Sequence, residues 1–81
     1  MTKRYQTRLE NVKIECGTPI MFVWKGVANN IVEIADQWKV RTHWWTEDEV
    51  RRHYFRVMTE DNGVYDLYED GEGWILDLVI D

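Results

Sequence analysis

Three runs of alternating apolar and polar residues follow one another between Arg52 and Ile80, cut at Asp61-Asn62-Gly63 and again at Asp70-Gly71-Glu72-Gly73. A period of two puts every second side chain on one face of an extended strand, a pattern that a helix of 3.6 residues per turn cannot satisfy. The segment therefore reads as an antiparallel meander. Its first hairpin has two candidate registers. A two-residue loop at Asn62-Gly63 would scatter the apolar side chains, whereas a three-residue loop, Asp61-Asn62-Gly63 with glycine left-handed, sets Val57 opposite Leu67 and Thr59 opposite Tyr65. The second register gathers Phe55, Val57, Tyr65 and Leu67 on one face. It leaves Arg52, Tyr54, Arg56 and Tyr68 on the other, with Arg56 opposite Tyr68 in a pairing suited to cation–π contact. A β-branched residue at Gly63 is then expected to strain a positive φ. In the last run Trp74, Leu76, Leu78 and Ile80 point inward and Asp77 outward.

Upstream, Val12 to Cys16 alternates as a short strand. Gly17-Thr18-Pro19 separates it from Ile20 to Lys25, whose two faces, Ile20, Phe22 and Trp24 against Met21 and Val23, are both apolar. That run reads as a central strand. After Gly26 and the turn at Ala28-Asn29-Asn30, the run Ile31 to Val40 puts Val32, Ile34 and Trp38 at one parity, with Asp36 marking a bend or bulge. Thr46 followed by Glu49 has the spacing of a capping box, in which a hydroxyl and a carboxylate satisfy the first amides of a helix. One helical turn is expected over 46–51. The fold expected is all-β: a five- or six-stranded antiparallel meander forming a small, partly open barrel over residues 9–81, after a frayed polar segment at 1–8.

At 81 residues there is room for one domain, and five tryptophans, four tyrosines and two phenylalanines supply its apolar bulk. One cysteine, Cys16, allows no internal disulfide. With neither a signal-like start nor a run long enough to span a membrane, this points to a cytoplasmic protein. The net charge of -5 is unevenly placed. Residues 1–59 hold ten bases and seven acids (+3), and residues 60–81 hold eight acids and no base (-8). Overall acidity disfavours broad nucleic-acid binding.

No arrangement of residues points to catalysis. Serine is absent, and Cys16, His43 and His53 match no zinc spacing. The carboxylates of Glu60-Asp61 and Glu69-Asp70 fall in solvated turns, and Gly71-Glu72-Gly73 lacks the lysine and helix of a phosphate loop. Neither metal nor cofactor is expected, and the chain reads as a non-enzyme. What remains is a basic aromatic band: Arg41, the pair Trp44-Trp45, Arg52, Tyr54 and Arg56, with His43 and Arg51 interleaved. Adjacent residues of a regular strand face opposite ways, so at most one of the two indoles enters a core. Tryptophan, tyrosine and arginine are the residues on which protein interfaces concentrate their energy, so a protein partner is the first reading. Single-stranded nucleic acid, held by stacking and phosphate contacts, is the second. A purely structural domain, with one indole plugging the barrel, is the third. Neither partner identity nor oligomeric state follows from the residues, and nothing points to a membrane.

The order of FVWKG (Phe22 to Gly26), Trp44-Trp45, RHYFRV (Arg52 to Val57), TEDNGVYDLY (Thr59 to Tyr68) and GWILDLVI (Gly73 to Ile80) resembles a small bacterial domain of unknown function. A similar segment forms the C-terminal region of ImuB, a Y-family polymerase-like protein without polymerase activity that serves damage-induced mutagenesis. The likeness covers most of the chain after about residue 10. His53 stands where that domain commonly has an acid. The resemblance implies an accessory interaction module linked to DNA-damage tolerance, and it carries no catalytic residue.

Overall fold

The computed structural model describes residues 2–42 and 50–80. These residues form seven strands and no helix: β1 (Lys3–Leu9), β2 (Val12–Glu15), β3 (Thr18–Trp24), β4 (Val27–Thr42), β5 (Val50–Thr59), β6 (Val64–Glu69) and β7 (Trp74–Val79). All pairings are antiparallel, in the order β1-β7-β6-β5-β4-β3-β2. The class is the one expected, with more strands than five or six.

Chain connectivity forces the sheet to curl. Strands β1 and β2 lie at opposite edges, and a flat sheet of seven strands would hold them about 29 Å apart. Only Glu10 and Asn11 join them, a link of about 11 Å at full stretch. The edges therefore meet at that corner, where the Val23 amide donates to the Asn11 carbonyl at 3.0 Å. Further along the seam, Tyr5 and Trp24 meet edge to face with centroids 5.0 Å apart. The result is a half-barrel whose concave side holds Leu9, Phe22, Phe55, Val57, Leu67, Trp74 and Leu76.

The closing strand was the least legible element. Lys3–Leu9 is not frayed but pairs along β7, and its polar composition fits an edge strand with mostly exposed side chains. β3 lies one strand from the other edge. Phe22 is fully buried there while Ile20 remains exposed, so the strand is less central than its two apolar faces imply. Of the helical turn expected over 46–51, positions 46–49 lie outside the described residues, and Val50 and Arg51 belong to β5.

The β5–β6 hairpin keeps the expected faces, but its loop starts one residue earlier and the pairing moves by two residues. Phe55 pairs with Leu67, Val57 with Tyr65, and Arg56 with Asp66 rather than Tyr68. Its loop is Glu60-Asp61-Asn62. The Thr59 amide donates to the Gly63 carbonyl at 3.0 Å, and Asn62 takes the left-handed position at φ 66°. Asp61 sets this choice: its Oδ1 accepts from the Thr59 hydroxyl and from the Gly63 amide at 3.3 Å. Those two donors hold its carboxyl below the usual range. Asparagine tolerates the left-handed region through local side-chain bonding, so glycine is not required there.

Register shifts in β4 and β7 turn faces over. In β4 the register shifts between Ile31 and Glu33 and again between Ile34 and Asp36, next to the expected bend. The second shift sends Trp38 to the convex face although Ile34, at the same parity, packs on the core. In β7 the shift falls around Asp77, so Val79 packs on the core in place of Leu78. Asp77 itself is buried on the convex side and receives Gln6 Nε2 at 3.2 Å.

Gly63 is constrained by space rather than by φ. A Cβ there would stand 2.6 Å from Tyr65 Cε1 and 3.0 Å from Thr59 Oγ1, and Tyr65 is itself edge-on to the buried Phe22 at 5.2 Å. Gly63→Val is expected to cost about 1–3 kcal/mol by overpacking. Asn62→Gly should leave the melting temperature nearly unchanged. Thermal unfolding of both variants checks this, and a neutral Gly63→Val would contradict the register.

Candidate functional site

The convex face of β4 to β7 carries a row of rings. Trp38 stacks on Tyr54 at 5.3 Å with planes 4° apart, and Tyr54 continues to Tyr68 at 4.9 Å. Cross-strand pairing produces this row, because Trp38, Tyr54 and Tyr68 occupy one rung of three neighbouring strands. Two arginines of β5 flank it. The Arg56 guanidinium lies 5.6 Å from the Trp38 ring, and that of Arg52 lies 4.8 Å from Tyr68. Burial pushes the Tyr68 phenol up, so near pH 7 it gives Arg52 a neutral face.

The two arginines differ in what they bind. Arg56 grips Asp66 bidentately, Nε to Oδ1 at 2.8 Å and Nη2 to Oδ2 at 3.0 Å, and the Asp66 carboxylate is only 3% exposed. Arg56 is thus occupied by an acid of its own sheet. Arg52 donates from Nη1 to the Tyr54 hydroxyl at 3.4 Å, while its buried Nε–H has no acceptor.

Beyond the aromatic row, the ends of β4 and β5 and the β6–β7 turn enclose an open cleft of about 710 Å³. Lys39, Arg41, Arg51, Arg52, His53, Glu69 and Asp70 line it, with Glu69 directly beside His53 on the neighbouring strand. The β4–β5 register sets Arg41 across from Arg51 and Lys39 across from His53, which carries a basic ladder into the cleft. His53 contacts Gln37 Oε1 through Nε2 at 3.0 Å and lies against the Phe55 ring at 4.2 Å. Asp70 builds the facing turn. Its Oδ1 accepts from the amides of Glu72 at 2.9 Å and Gly73 at 3.2 Å, with Gly71 left-handed, and Arg8 stands 3.5 Å from its Oδ2. Burial alone would push the Asp70 carboxyl up, but the amides and Arg8 together hold it below the usual range.

Of the six residues expected to form a contact face, Arg52, Tyr54 and Arg56 share the convex side, and Arg41 lines the cleft at the opposite parity. Trp44 and Trp45 lie outside the described residues, as does His43. Arg56 does not pair with Tyr68, because the two-residue shift of the pairing gives it Asp66. Trp38, Lys39, Glu69 and Asp70 were missed as site residues. The bulge that exposes Trp38 to this face leaves no more than the ambiguous mark of Asp36 in the sequence. Among the described residues no three His, Cys, Asp or Glu side chains are grouped to hold a metal ion.

A family model described as a domain of unknown function, DUF6504, matches residues 3–77. The chain belongs to that family. No curated protein and no solved structure matches it. The matched span runs from the first residue of β1 to Asp77, so it takes in β1 to β6, most of β7 and every residue that lines the cleft. The DUF6504 half-barrel is therefore also the unit that builds the site.

Two electrostatic features of this DUF6504 domain can be checked directly. Removing the Arg56 guanidinium with Arg56→Met leaves the buried Asp66 uncompensated, at an expected cost of about 1–3 kcal/mol. The double variant with Asp66→Leu should recover much of that loss, and urea melts of the cycle measure the coupling. Asp70, its folded pKa below its unfolded one, contributes stability above about pH 4 that is lost as the pH falls through the folded value. Asp70→Asn should lower stability at pH 7 and flatten its fall toward pH 3, as read by urea melts at the two pH values.

Proposed function

We propose that the chain is a non-enzymatic protein-interaction module of a reducing compartment, and that its contact surface is the cleft with the adjoining aromatic row. One observation carries the reading: the acids of the C-terminal strands stand among the arginines. Glu69 and Asp70 line the same cleft as Lys39, Arg41, Arg51 and Arg52. Arg56, Arg8 and Arg4 each face an aspartate of β6, β7 or the turn between them. A polyanion entering the cleft would set its phosphates against Glu69 and Asp70, whereas a protein segment can match both signs at once. Tyrosine, tryptophan and arginine next to a concave surface also suit a protein hot spot. The resemblance to the C-terminal region of ImuB makes DNA-damage tolerance the cellular setting we favour.

A photo-crosslinking residue placed at Lys39, compared with one at the exposed Ile14 on β2, tests the reading in the source cell. Crosslinks to a defined protein concentrated at position 39 are expected. A fluorescent oligothymidylate should show no saturable binding at about 150 mM salt, where non-specific binders retain measurable affinity only through net positive charge. Saturable oligonucleotide binding that Arg41→Glu abolishes would replace the protein reading with the nucleic-acid one.

A further inference from the structure

β4 is the longest strand, and its two neighbours divide it between them. β3 pairs with residues 27–30 on one side, and β5 pairs with residues 31–42 on the other. Past residue 30, among the described residues, no strand flanks β4 on its β3 side. The strand therefore carries an open sheet edge along most of its length.

The alternation of an antiparallel ladder tells which backbone groups this edge presents. The Thr59 amide donates to the Gly63 carbonyl, so Thr59 turns its backbone toward β6, and the β5–β6 pairing then runs without a shift to His53. Every second residue of β5 thus serves β6, while Arg52, Tyr54 and Arg56 serve β4. Their partners Val40, Trp38 and Asp36 face β5 in return, which turns the amides and carbonyls of Gln37, Lys39 and Arg41 outward. The Gln37 amide is capped within the chain, donating to Asp36 Oδ1 at 2.8 Å. Two register shifts also guard the edge before this point. After it the register runs unbroken to Thr42, and Lys39, Val40 and Arg41 border the cleft.

Side chains decide what can lie along that edge. Lys39 is exposed and shares its face with Arg41, Arg51 and His53, while Glu69, on the same face, stands two strands away on β6. A strand added to β4 sets one residue directly opposite Lys39, where an opposite charge stabilises and a like charge does not. A second copy joined through the same edge about a twofold at Lys39 would oppose lysine to lysine. On the other face the half-buried Trp38 and Val40 offer apolar contact to the residues on either side.

We infer that the partner segment binds as an added antiparallel strand along residues 37–41, with an aspartate or glutamate opposite Lys39 and apolar residues flanking it. This rests on the protein-interaction reading and names how the partner is held: main-chain bonds give affinity, and alternate side chains give selection. Lys39 serves twice, since the charge that selects an acid also keeps copies of the chain from pairing edge to edge.

The test titrates the full ¹⁵N-labelled chain with a peptide alternating glutamate and valine, reading hydrogen exchange at the Lys39 amide. The peptide should slow that exchange saturably and leave the Trp38 amide, already turned to β5, unchanged. An acid opposite Lys39 bonds it through its own amide, so N-methylation of the glutamates should weaken binding about tenfold, the worth of one or two such bonds. N-methylation of the valines should not. A lysine–valine peptide should fail on the wild-type chain and bind Lys39→Glu, a change at an exposed position. If the peptide leaves Lys39 unprotected, or binds equally when its glutamates are methylated, strand addition is wrong. A defined protein still crosslinked from position 39 would then keep the interaction reading alive. Oligothymidylate that binds saturably and displaces the peptide would sink both. Lys39 protection that grows with protein concentration alone would make a second copy the occupant and overturn the inferred partner.

Discussion

The two-residue link Glu10-Asn11 is the constraint on which the rest of this structure depends. It ties together the two outermost strands of a seven-stranded sheet, and a chain so connected cannot remain flat. Curling brings Phe22 of β3 into one core with Leu9 and Trp74, a cross-strand pair of β1 and β7, although β3 is distant from both along a flat sheet. It also accounts for the bulges. A strand paired on a strongly curved sheet must bend, and an extra residue on one side is the usual way to achieve that. Register shifts occur in β1, β3, β4 and β7, with Gln6 of β1 turning left-handed at φ 49°. The seam itself stays open to further pairing, and its edge strands are guarded by lysines, arginines and shifted register.

Once closure is fixed, the uneven charge of the chain acquires a structural meaning. Read along the sequence, bases precede acids, as though the molecule had two poles. Folding interleaves them, because β1 pairs with β7 and β5 with β6. Asp66 and Asp77, both buried on the convex face, are answered by Arg56 and by Arg4 with Gln6. A buried carboxylate without such a partner would cost several kcal/mol, so these pairs fix strand order as well as charge. Strand pairing is thus the reason that two poles of charge do not form.

That reason also separates what was legible in the sequence from what was not. Alternation in 52–80 is local, and it placed Phe55, Val57, Tyr65 and Leu67 on one face correctly. The slip at the hairpin came from a side-chain effect: Asp61 ties Thr59 to Gly63 and hands the left-handed position to Asn62. Glycine at 63 serves the Tyr65 ring, a contact two residues away that turn statistics do not encode. β1 was unreadable because its stability comes from the far end of the chain. The same holds for the site. Arg52 and Tyr54 declared themselves through alternation, whereas Trp38 joined them only through a bulge in β4.

Arg52 and Arg56 form an internal comparison in which strand, face and residue type are held constant. What differs is the acid across on β6: Asp66 grips Arg56 through two bonds, whereas Arg52 lies beyond the last rung of the β5–β6 pairing and interacts with Asp70 only through space. Arg56 therefore stabilises the sheet, and its guanidinium is already committed. Arg52 sits where β6 has turned away into the Asp70 loop, so the sheet supplies rings beneath it and an open cleft beside it. The end of a paired ladder is thus where the fold stops consuming its own polar groups. Arg52, just past that point, is left with two rings and a buried Nε–H that has no acceptor.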